Sequence, residues 1–275
     1  MTTAFVELPH GGRTIRMEHA FVAPERRSAP LVVFLHEGLG SLAMWKDFPE
    51  QFCDAGGYRG FVYSRYGYGR STPRPPGERW PVDFMHVQAR ETLPRLFERV
   101  GIDAGRDPPW LFGHSDGGSI ALLHAAMFPG AVAGVVAVAP HIMVEDVSIA
   151  SIERARDAYR TTDLRARLAR YHDDPDSAFR GWNDVWLKPE FRAWSILAML
   201  RDLRCPVLAI QGEDDEYGTL AQVEGIARDV RGAELHVLPT SGHSPHRDAP
   251  DALTRVATDF ISRHARTRAN QGGTQ

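Results

Sequence analysis

Short apolar runs alternate with segments of helical periodicity along most of the chain. The apolar runs are predicted strands, and they cover residues 31–35, 60–63, 110–112, 132–138, 206–210 and 234–238. Most of them are continuous rather than alternating, which is typical of strands buried on both faces of a parallel sheet. Helical spacing occurs between them, over residues 82–100, 117–127, 220–230 and 251–265. This order predicts an α/β fold, with a mostly parallel central sheet flanked by helices.

Two segments depart from this rhythm. Residues 3–8 and 14–22 surround a His-Gly-Gly turn and are predicted to form an antiparallel hairpin that leads into the sheet. The interval between the fourth and fifth helix-flanked strands is rich in arginine and tryptophan and has no convincing strand. We therefore predict a helical cap over residues 141–203, inserted into a core of residues 1–140 and 204–275.

Composition restricts the class of protein without identifying it. The chain has 275 residues, 43% of them hydrophobic, and a formal net charge of −3. A chain of this length buries a core large enough to fold without a disulfide or metal, and its charge gives no reason to expect a nucleic acid partner. Cys53 and Cys205 are expected to be reduced thiols. Because no signal peptide and no apolar run of membrane-spanning length is visible, we expect a cytoplasmic protein with no membrane association.

The strongest chemical signal is Gly113-His114-Ser115-Asp116-Gly117, a G-x-S-x-G motif. It follows a predicted strand and precedes a predicted helix. A serine in such a strand-to-helix turn has a strained backbone that exposes its hydroxyl above the sheet, so Ser115 is a candidate nucleophile. An ordinary glycine-rich turn is the alternative interpretation.

An acid and a histidine follow in the order that a serine nucleophile requires. Glu213, Asp214, Asp215 and Glu216 come directly after the predicted strand 206–210. His243 follows the predicted strand 234–238 in the same way. Since parallel strands end at one edge of a sheet, an acid from this cluster could orient His243, and His243 could activate Ser115. Some of these four acids are expected to be solvated turn residues.

With these motifs the chain resembles α/β-hydrolase-fold serine hydrolases over nearly its whole length. The acid of that family commonly follows a glycine by three positions, which implies Asp215 rather than Asp214. Its histidine commonly follows a glycine directly, which implies His243 rather than His246. The resemblance therefore implies a catalytic triad of Ser115, Asp215 and His243.

A second shared motif is the loop His36-Glu37-Gly38, after the predicted strand 31–35. In the family, a loop of this type and the residue after the nucleophile donate the two amides of the oxyanion hole. The resemblance thus implies the amides of Gly38 and Asp116 as donors to the developing negative charge. Glu37 stands where glycine is usual, and we expect its carboxylate to point outward or to pair with Arg65 or Arg70.

A third shared motif, from Ser64 to Ser71, resembles the family's D-x-R-G-x-G-x-S loop, with Ser64 in place of the acid. Its glycines do not favour a dinucleotide site, because the third glycine is missing and no helix begins there. His243, His246 and Asp248 lie close together, but no spaced set of cysteines and histidines accompanies them. We therefore expect no cofactor and no metal.

These residues predict an enzyme that hydrolyses a small-molecule carboxylic ester, lactone or thioester through an acyl-enzyme. A carbon–carbon bond hydrolase of the meta-cleavage-product type and a related acyltransferase are alternatives that would use the same residues. A binding module that has lost catalysis is disfavoured, because all three triad positions are filled. The expected partner is a small molecule, and the oligomeric state, including a homodimer, stays open. Candidate pocket residues in the cap are Met143, Trp182, Trp186 and Trp194.

Overall fold

A single sheet organises the chain. The computed structural model describes residues 1–272, so the last three positions of the predicted core lie outside it. Within the described residues, eight strands follow the spatial order β1-β2-β4-β3-β5-β6-β7-β8. Their bounds are β1 Thr2–His10, β2 Arg13–Val22, β3 Leu31–Leu35, β4 Arg59–Tyr63, β5 Trp110–His114, β6 Gly134–Val138, β7 Val207–Gly212 and β8 Glu234–Leu238.

The sheet is mostly parallel, as the sequence predicts. The hairpin of β1 and β2 is antiparallel, and β2 pairs antiparallel with β4. The pairs that join β4, β3, β5, β6, β7 and β8 are all parallel. The carboxyl ends of these six strands consequently meet at one edge of the sheet, where the three shared motifs lie.

Helices connect the strands. They are α1 Phe48–Gly56, α2 Phe84–Val87, α3 Leu93–Val100, α4 Asp116–Met127, α5 Asp146–Thr161, α6 Leu164–Leu168, α7 Pro175–Trp186, α8 Leu197–Leu200, α9 Ala221–Asp229, α10 Pro245–Asp248 and α11 Pro250–Gly272. A π-helical turn, Gln88–Thr92, joins α2 to α3, so the predicted helix 82–100 is one helical segment with a local irregularity. Helix α1 was not predicted from the sequence; it is nine residues long and ends at Gly57.

Both faces of the sheet are covered. Val33 and Leu35 of β3 belong to a hydrophobic cluster that includes residues of α3 and α4. Val32 and Phe34, which point the other way along the same strand, belong to a second cluster with residues of α1 and α11. The continuous apolar runs are explained by this two-sided burial, and the predicted α/β fold with a parallel sheet between helices is confirmed.

The segment between β6 and β7 is helical. It contains α5, α6, α7 and α8 and a 3₁₀ turn, Pro189–Ala193, and its one isolated β-bridge joins Met143 to Ser195. The division into a core and a cap at residues 141 and 203 stays a prediction. In the described part of the chain, no helix has the length and apolar character that crossing a bilayer requires.

The turn between β5 and α4 forces a close approach of backbone segments. Ser115 has φ 53° and ψ −120°, a conformation that residues with a side chain rarely adopt. A Cβ atom on Gly113 would lie 2.2 Å from the carbonyl oxygen of Gly117, and one on Gly117 would lie 2.1 Å from that of Leu35. Only glycine fits at both positions, so the motif's first glycine follows from the tightness of the turn itself and its second from the packing of the end of β3 against the turn.

Gly117→Ala should therefore lower the free energy of unfolding by about 3 kcal/mol, because the added methyl group meets backbone atoms that cannot turn aside. Urea denaturation at pH 7 measures the loss. Gly77→Ala is the matched control, since a Cβ there meets no atom within 4 Å. Equal stability of the two variants would contradict this explanation of the motif.

Candidate active site

The structure brings Ser115, His243 and Asp215 together at the carboxyl edge of the sheet. Ser115 follows β5, Asp215 follows β7 and His243 follows β8. The Nε2 atom of His243 lies 3.0 Å from the Ser115 hydroxyl, and its Nδ1 atom lies 2.9 Å from Oδ1 of Asp215. These distances form a continuous hydrogen-bond chain from the carboxylate to the serine oxygen.

The positions of the protons along this series of hydrogen bonds follow from the ionisation of Asp215. Burial raises the pKa of that carboxyl, but the hydrogen bond to His243 and a second one from the amide of Tyr217 outweigh the burial and lower the pKa below its usual value. An ionised carboxylate only accepts hydrogen bonds, so Nδ1 of His243 carries a proton and donates it. In a neutral imidazole of this tautomer, Nε2 is the hydrogen-bond acceptor that faces Ser115. Asp214 is exposed and makes no such contact; its amide donates to the carbonyl of Ser241.

The loop that carries His243 is held by two further acids. Oε2 of Glu216 accepts a hydrogen bond from the His243 amide at 3.0 Å, and Oδ2 of Asp248 accepts one from the Gly242 amide at 3.0 Å. Glu216 and Asp248 thus position the backbone on both sides of the Gly242–His243 peptide bond. The sequence places Glu216 in the acidic cluster, but only the fold shows which backbone group it meets.

Glu37 does not behave as expected. Its side chain is only 18% exposed, so the carboxylate does not point outward into solvent, and it does not pair with Arg65 or Arg70. Instead it lies 3.4 Å from Nδ1 of His114. Burial raises the pKa of Glu37, but the contact with His114 outweighs burial and holds the pKa well below its usual value. The Nε2 atom of His114 donates to the carbonyl of His243 at 2.6 Å. A histidine inside the nucleophile motif therefore takes the place of the expected arginine.

The missing acid of the third motif is supplied from another strand. The hydroxyl of Ser64 donates to Oε2 of Glu18 on β2 at 2.7 Å, and the amide of Arg70 donates to the same oxygen at 3.0 Å. Glu18 is only 2% exposed. Its carboxylate thus stabilises the loop after β4 from a distant part of the sequence, which no local pattern reveals.

A cavity of about 240 Å³ lies beside Ser115. Its apolar walls are Leu39, Met44, Ile152, Leu164, Leu168, Trp182 and Trp186, and its polar groups include Glu37, Glu216, Tyr217, Ser244 and Arg247. Two of the four predicted pocket residues, Trp182 and Trp186, are among them. Met143 and Trp194 are not: Trp194 stacks on Phe191 with ring centroids 5.4 Å apart, and Met143 packs against the hydrophobic core. Their packing within the helical segment explains this difference.

His141 is a cavity residue that the sequence reasoning missed. It follows β6, the strand beside β5, and its Nε2 atom donates to the carbonyl of Tyr217 at 3.2 Å. Its ring lies 4.8 Å from that of Trp186 and 5.9 Å from that of His243. Burial and the nearby His243 lower the pKa of His141 to about 4, so it is a neutral wall of the site at pH 7. Its position after a parallel strand is the signal that could have identified it.

Comparison with known proteins agrees with the fold. Residues 32–256 match the model of the alpha/beta hydrolase family, and the chain belongs to that family. Membership of this family and the similarity to a serine hydrolase support an enzyme of the hydrolase class. It is 26% identical to human serine hydrolase BPHL over 212 residues, which are 71% of this chain and 66%, slightly under two thirds, of the human protein.

Two other similar proteins align with this chain over a larger share of their own length. A 2-succinyl-6-hydroxy-2,4-cyclohexadiene-1-carboxylate synthase of Escherichia coli O1:K1 is 24% identical over 84% of this chain and 94% of its own. The structure of a thermophilic esterase from Thermogutta terrifontis superposes with a TM-score of 0.72 at 18% identity, covering 96% of this chain and 99% of the esterase. At this identity the esterase establishes similarity of fold.

Glu37→Gln should lower the free energy of unfolding at pH 7 by about 2 kcal/mol, because it removes the charge that faces His114. A depressed carboxyl pKa stabilises the fold above the pKa of the unfolded chain, about 4.3, and this contribution is lost as the pH falls through the folded value. The difference between wild type and variant should therefore be constant from pH 8 to 5 and shrink below about pH 4.3. Urea denaturation across this range measures it.

Glu98→Gln, at an exposed position on α3, is the control and should match wild type throughout. A Glu37→Gln protein as stable as wild type at pH 7 would show that the Glu37–His114 contact contributes nothing to the fold.

Proposed function

We propose that the chain hydrolyses small carboxylic esters, lactones or thioesters, with Ser115 as nucleophile, His243 as general base and acid, and Asp215 as the residue that orients His243. The observation that carries the proposal is the hydrogen-bond chain from Asp215 through His243 to Ser115, which ends at the edge of a cavity. A serine hydroxyl is a weak nucleophile at neutral pH, and such a chain is the arrangement that activates it.

In the acylation half of the reaction, Nε2 of His243 takes the proton of the Ser115 hydroxyl as its oxygen attacks the substrate carbonyl carbon. The carbonyl oxygen becomes an oxyanion, and the amides of Gly38 and Asp116 stabilise it by hydrogen bonds. The bond to the leaving group then breaks, and His243 returns its proton to the departing alcohol or thiol. Ser115 is left as an acyl ester.

In the deacylation half, a water molecule takes the place of the leaving group. His243 removes one proton from this water, and the resulting hydroxide attacks the acyl carbon. The second oxyanion accepts hydrogen bonds from the same two amides. When this intermediate breaks down, the bond between the acyl carbon and the Ser115 oxygen is cleaved, and the serine oxygen receives the proton back from His243. The products are a carboxylic acid and the regenerated enzyme.

The cavity supports a small, largely apolar substrate. Its volume of about 240 Å³ is below the roughly 300–1,000 Å³ that is usual for pockets of drug-sized ligands. Leu39, Ile152 and Trp182 line it, and its charged lining residues are Glu37, Glu216 and Arg247, of which the last two are exposed. A short aliphatic or small aromatic acyl group fits these walls.

A panel of p-nitrophenyl esters of graded acyl length, assayed beside a meta-cleavage-type diketo acid, tests this function. We expect the highest kcat/KM for acyl chains of about two to six carbons. Ser115→Ala and His243→Ala should each lower kcat by about a thousandfold or more, since triad members act as a unit. Turnover of the diketo acid without turnover of any ester would contradict the proposal.

Asp215→Asn and Asp214→Asn form a matched pair that tests the assignment of the acid. An amide at position 215 can present an N–H to Nδ1 of His243, which favours the tautomer whose Nε2 is protonated and cannot accept the serine proton. We expect kcat of Asp215→Asn to fall about a thousandfold and that of Asp214→Asn to stay within about threefold of wild type. A larger loss in Asp214→Asn would move the role to that residue.

A further inference from the structure

The two segments that carry the proposed oxyanion-hole amides, the loop after β3 and the start of α4, both lie against one buried guanidinium group. Arg65, in the loop after β4, is 2% exposed. Its Nη1 atom donates to the carbonyl of His36 at 3.1 Å, and Nη2 donates to the carbonyl of Glu37 at 2.8 Å. The same Nη2 atom lies 3.8 Å from Oδ2 of Asp116. Arg65 therefore contacts the loop after β3 and the first residue of α4 at once.

The contact with Glu37 determines the direction of the Gly38 amide. The carbonyl of Glu37 and the N–H of Gly38 belong to one peptide unit, and no cis peptide bond occurs among the described residues. In a trans peptide the C=O and N–H point in opposite directions. A carbonyl oxygen held by Arg65 consequently turns the Gly38 N–H to the opposite side, and Gly38 lines the cavity together with Ser115.

The backbone amide of Arg65 also stabilises the orientation of the Glu37–Gly38 peptide, through the side chain of His36. The Arg65 amide donates to Nε2 of His36 at 3.0 Å, so the proton of the neutral imidazole is on Nδ1. That Nδ1 atom lies 2.7 Å from the Glu37 carbonyl oxygen and donates to it. Burial and the charge of Arg65 keep the pKa of His36 well below its usual value, which maintains this neutral form. The Glu37 oxygen thus accepts three hydrogen bonds: one from the Arg65 guanidinium, one from His36, which the Arg65 backbone amide orients, and one from the Gly40 amide at 3.1 Å.

The other donor is held through the side chain of Asp116. Oδ1 accepts a hydrogen bond from Nε1 of Trp186 at 3.2 Å, and Oδ2 faces Arg65. Asp116 is fully buried at the start of α4, directly after the strained Ser115. Trp186 thus hydrogen-bonds the Asp116 carboxyl group on one side, and the positive charge of Arg65 faces it on the other without a hydrogen bond.

We infer that Arg65 is a positioning residue of the oxyanion hole, which sets the direction of the Gly38 amide and the place of the Asp116 amide. The inference rests on the proposed function, since it needs an oxyanion for these amides to stabilise. Arg65 is absent from the described residues that line the cavity, so it acts through the loop backbone rather than on substrate. Preorganised donors lower the barrier only while their direction is maintained, so loss of Arg65 affects kcat more than KM.

Matched Arg→Lys replacements at two buried arginines test the inference. A lysine at position 65 keeps the charge, but its three N–H donors sit on one nitrogen at the end of a flexible stem, so it lacks the rigid planar fork that reaches two carbonyls from two nitrogens. Arg74 is 3% exposed, and its guanidinium also donates to loop carbonyls, those of Pro75 and Glu78. With the best p-nitrophenyl ester, kcat of Arg65→Lys should fall about thirtyfold with KM within about threefold, while kcat of Arg74→Lys stays within about twofold of wild type.

A fluorophosphonate supplies a readout that general destabilisation does not move. Its phosphoryl oxygen occupies the oxyanion position when Ser115 displaces the fluoride, so the rate of labelling should fall in Arg65→Lys in parallel with kcat and remain unchanged in Arg74→Lys. Circular dichroism at the assay temperature establishes that each variant is folded. Should Arg65→Lys not fold, Arg65→Gln, which retains one donor group, is measured against the same criteria.

The outcomes separate the two proposals. Wild-type protein that hydrolyses no ester and takes no fluorophosphonate label would overturn the proposed function, and the positioning role with it. An active wild type together with Arg65→Lys or Arg65→Gln of unchanged kcat would overturn only the positioning role. Equal losses of kcat in the position-65 and position-74 variants would also overturn it, because they would indicate a general effect of replacing buried arginine.

Discussion

The strained backbone of Ser115 is the constraint on which the rest of the site depends. A residue held at φ 53° costs free energy that the surrounding packing must offset. The turn stays tight because Gly113 and Gly117 allow backbone atoms to approach where any Cβ would collide. The same approach of β3 brings the loop of Glu37 and Gly38 beside Ser115. Strain, glycine spacing and the proposed oxyanion hole are therefore consequences of one packing arrangement.

Buried polar groups then complete the arrangement, and each finds a partner in a different part of the chain. Glu18 of β2 binds the loop after β4, His114 faces Glu37, and Arg65 holds two carbonyls of the loop after β3. Buried charges are costly unless they are paired or hydrogen-bonded, so these contacts maintain one conformation of the loops. Burial at the same time keeps His36 and His141 neutral, and of these histidines it is His243 whose Nε2 atom contacts Ser115.

Much of this organisation could be predicted from the sequence, for physical reasons. Strands buried on both faces have continuous apolar runs, and residues after parallel strands meet at one edge, so the grouping of Ser115 and His243 with an acid of the cluster 213–216 followed from their order. The resemblance to the family then singled out Asp215. The partner of Glu37 could not be predicted, because its contact with His114 depends on how two loops approach in space. Trp182 and Met143 could not be distinguished as cavity residues for the same reason: helix packing between β6 and β7, not composition, decides which side chains face Ser115.

The central claim is that Ser115 is the nucleophile of a serine hydrolase. Mass spectrometry of the intact, folded protein after reaction with a fluorophosphonate, followed by peptide mapping, tests it most directly. We expect one phosphonyl group per chain, attached to the peptide that contains Ser115, and no adduct in Ser115→Ala. A protein that stays unlabelled, or an adduct on another residue that persists in Ser115→Ala, would contradict it.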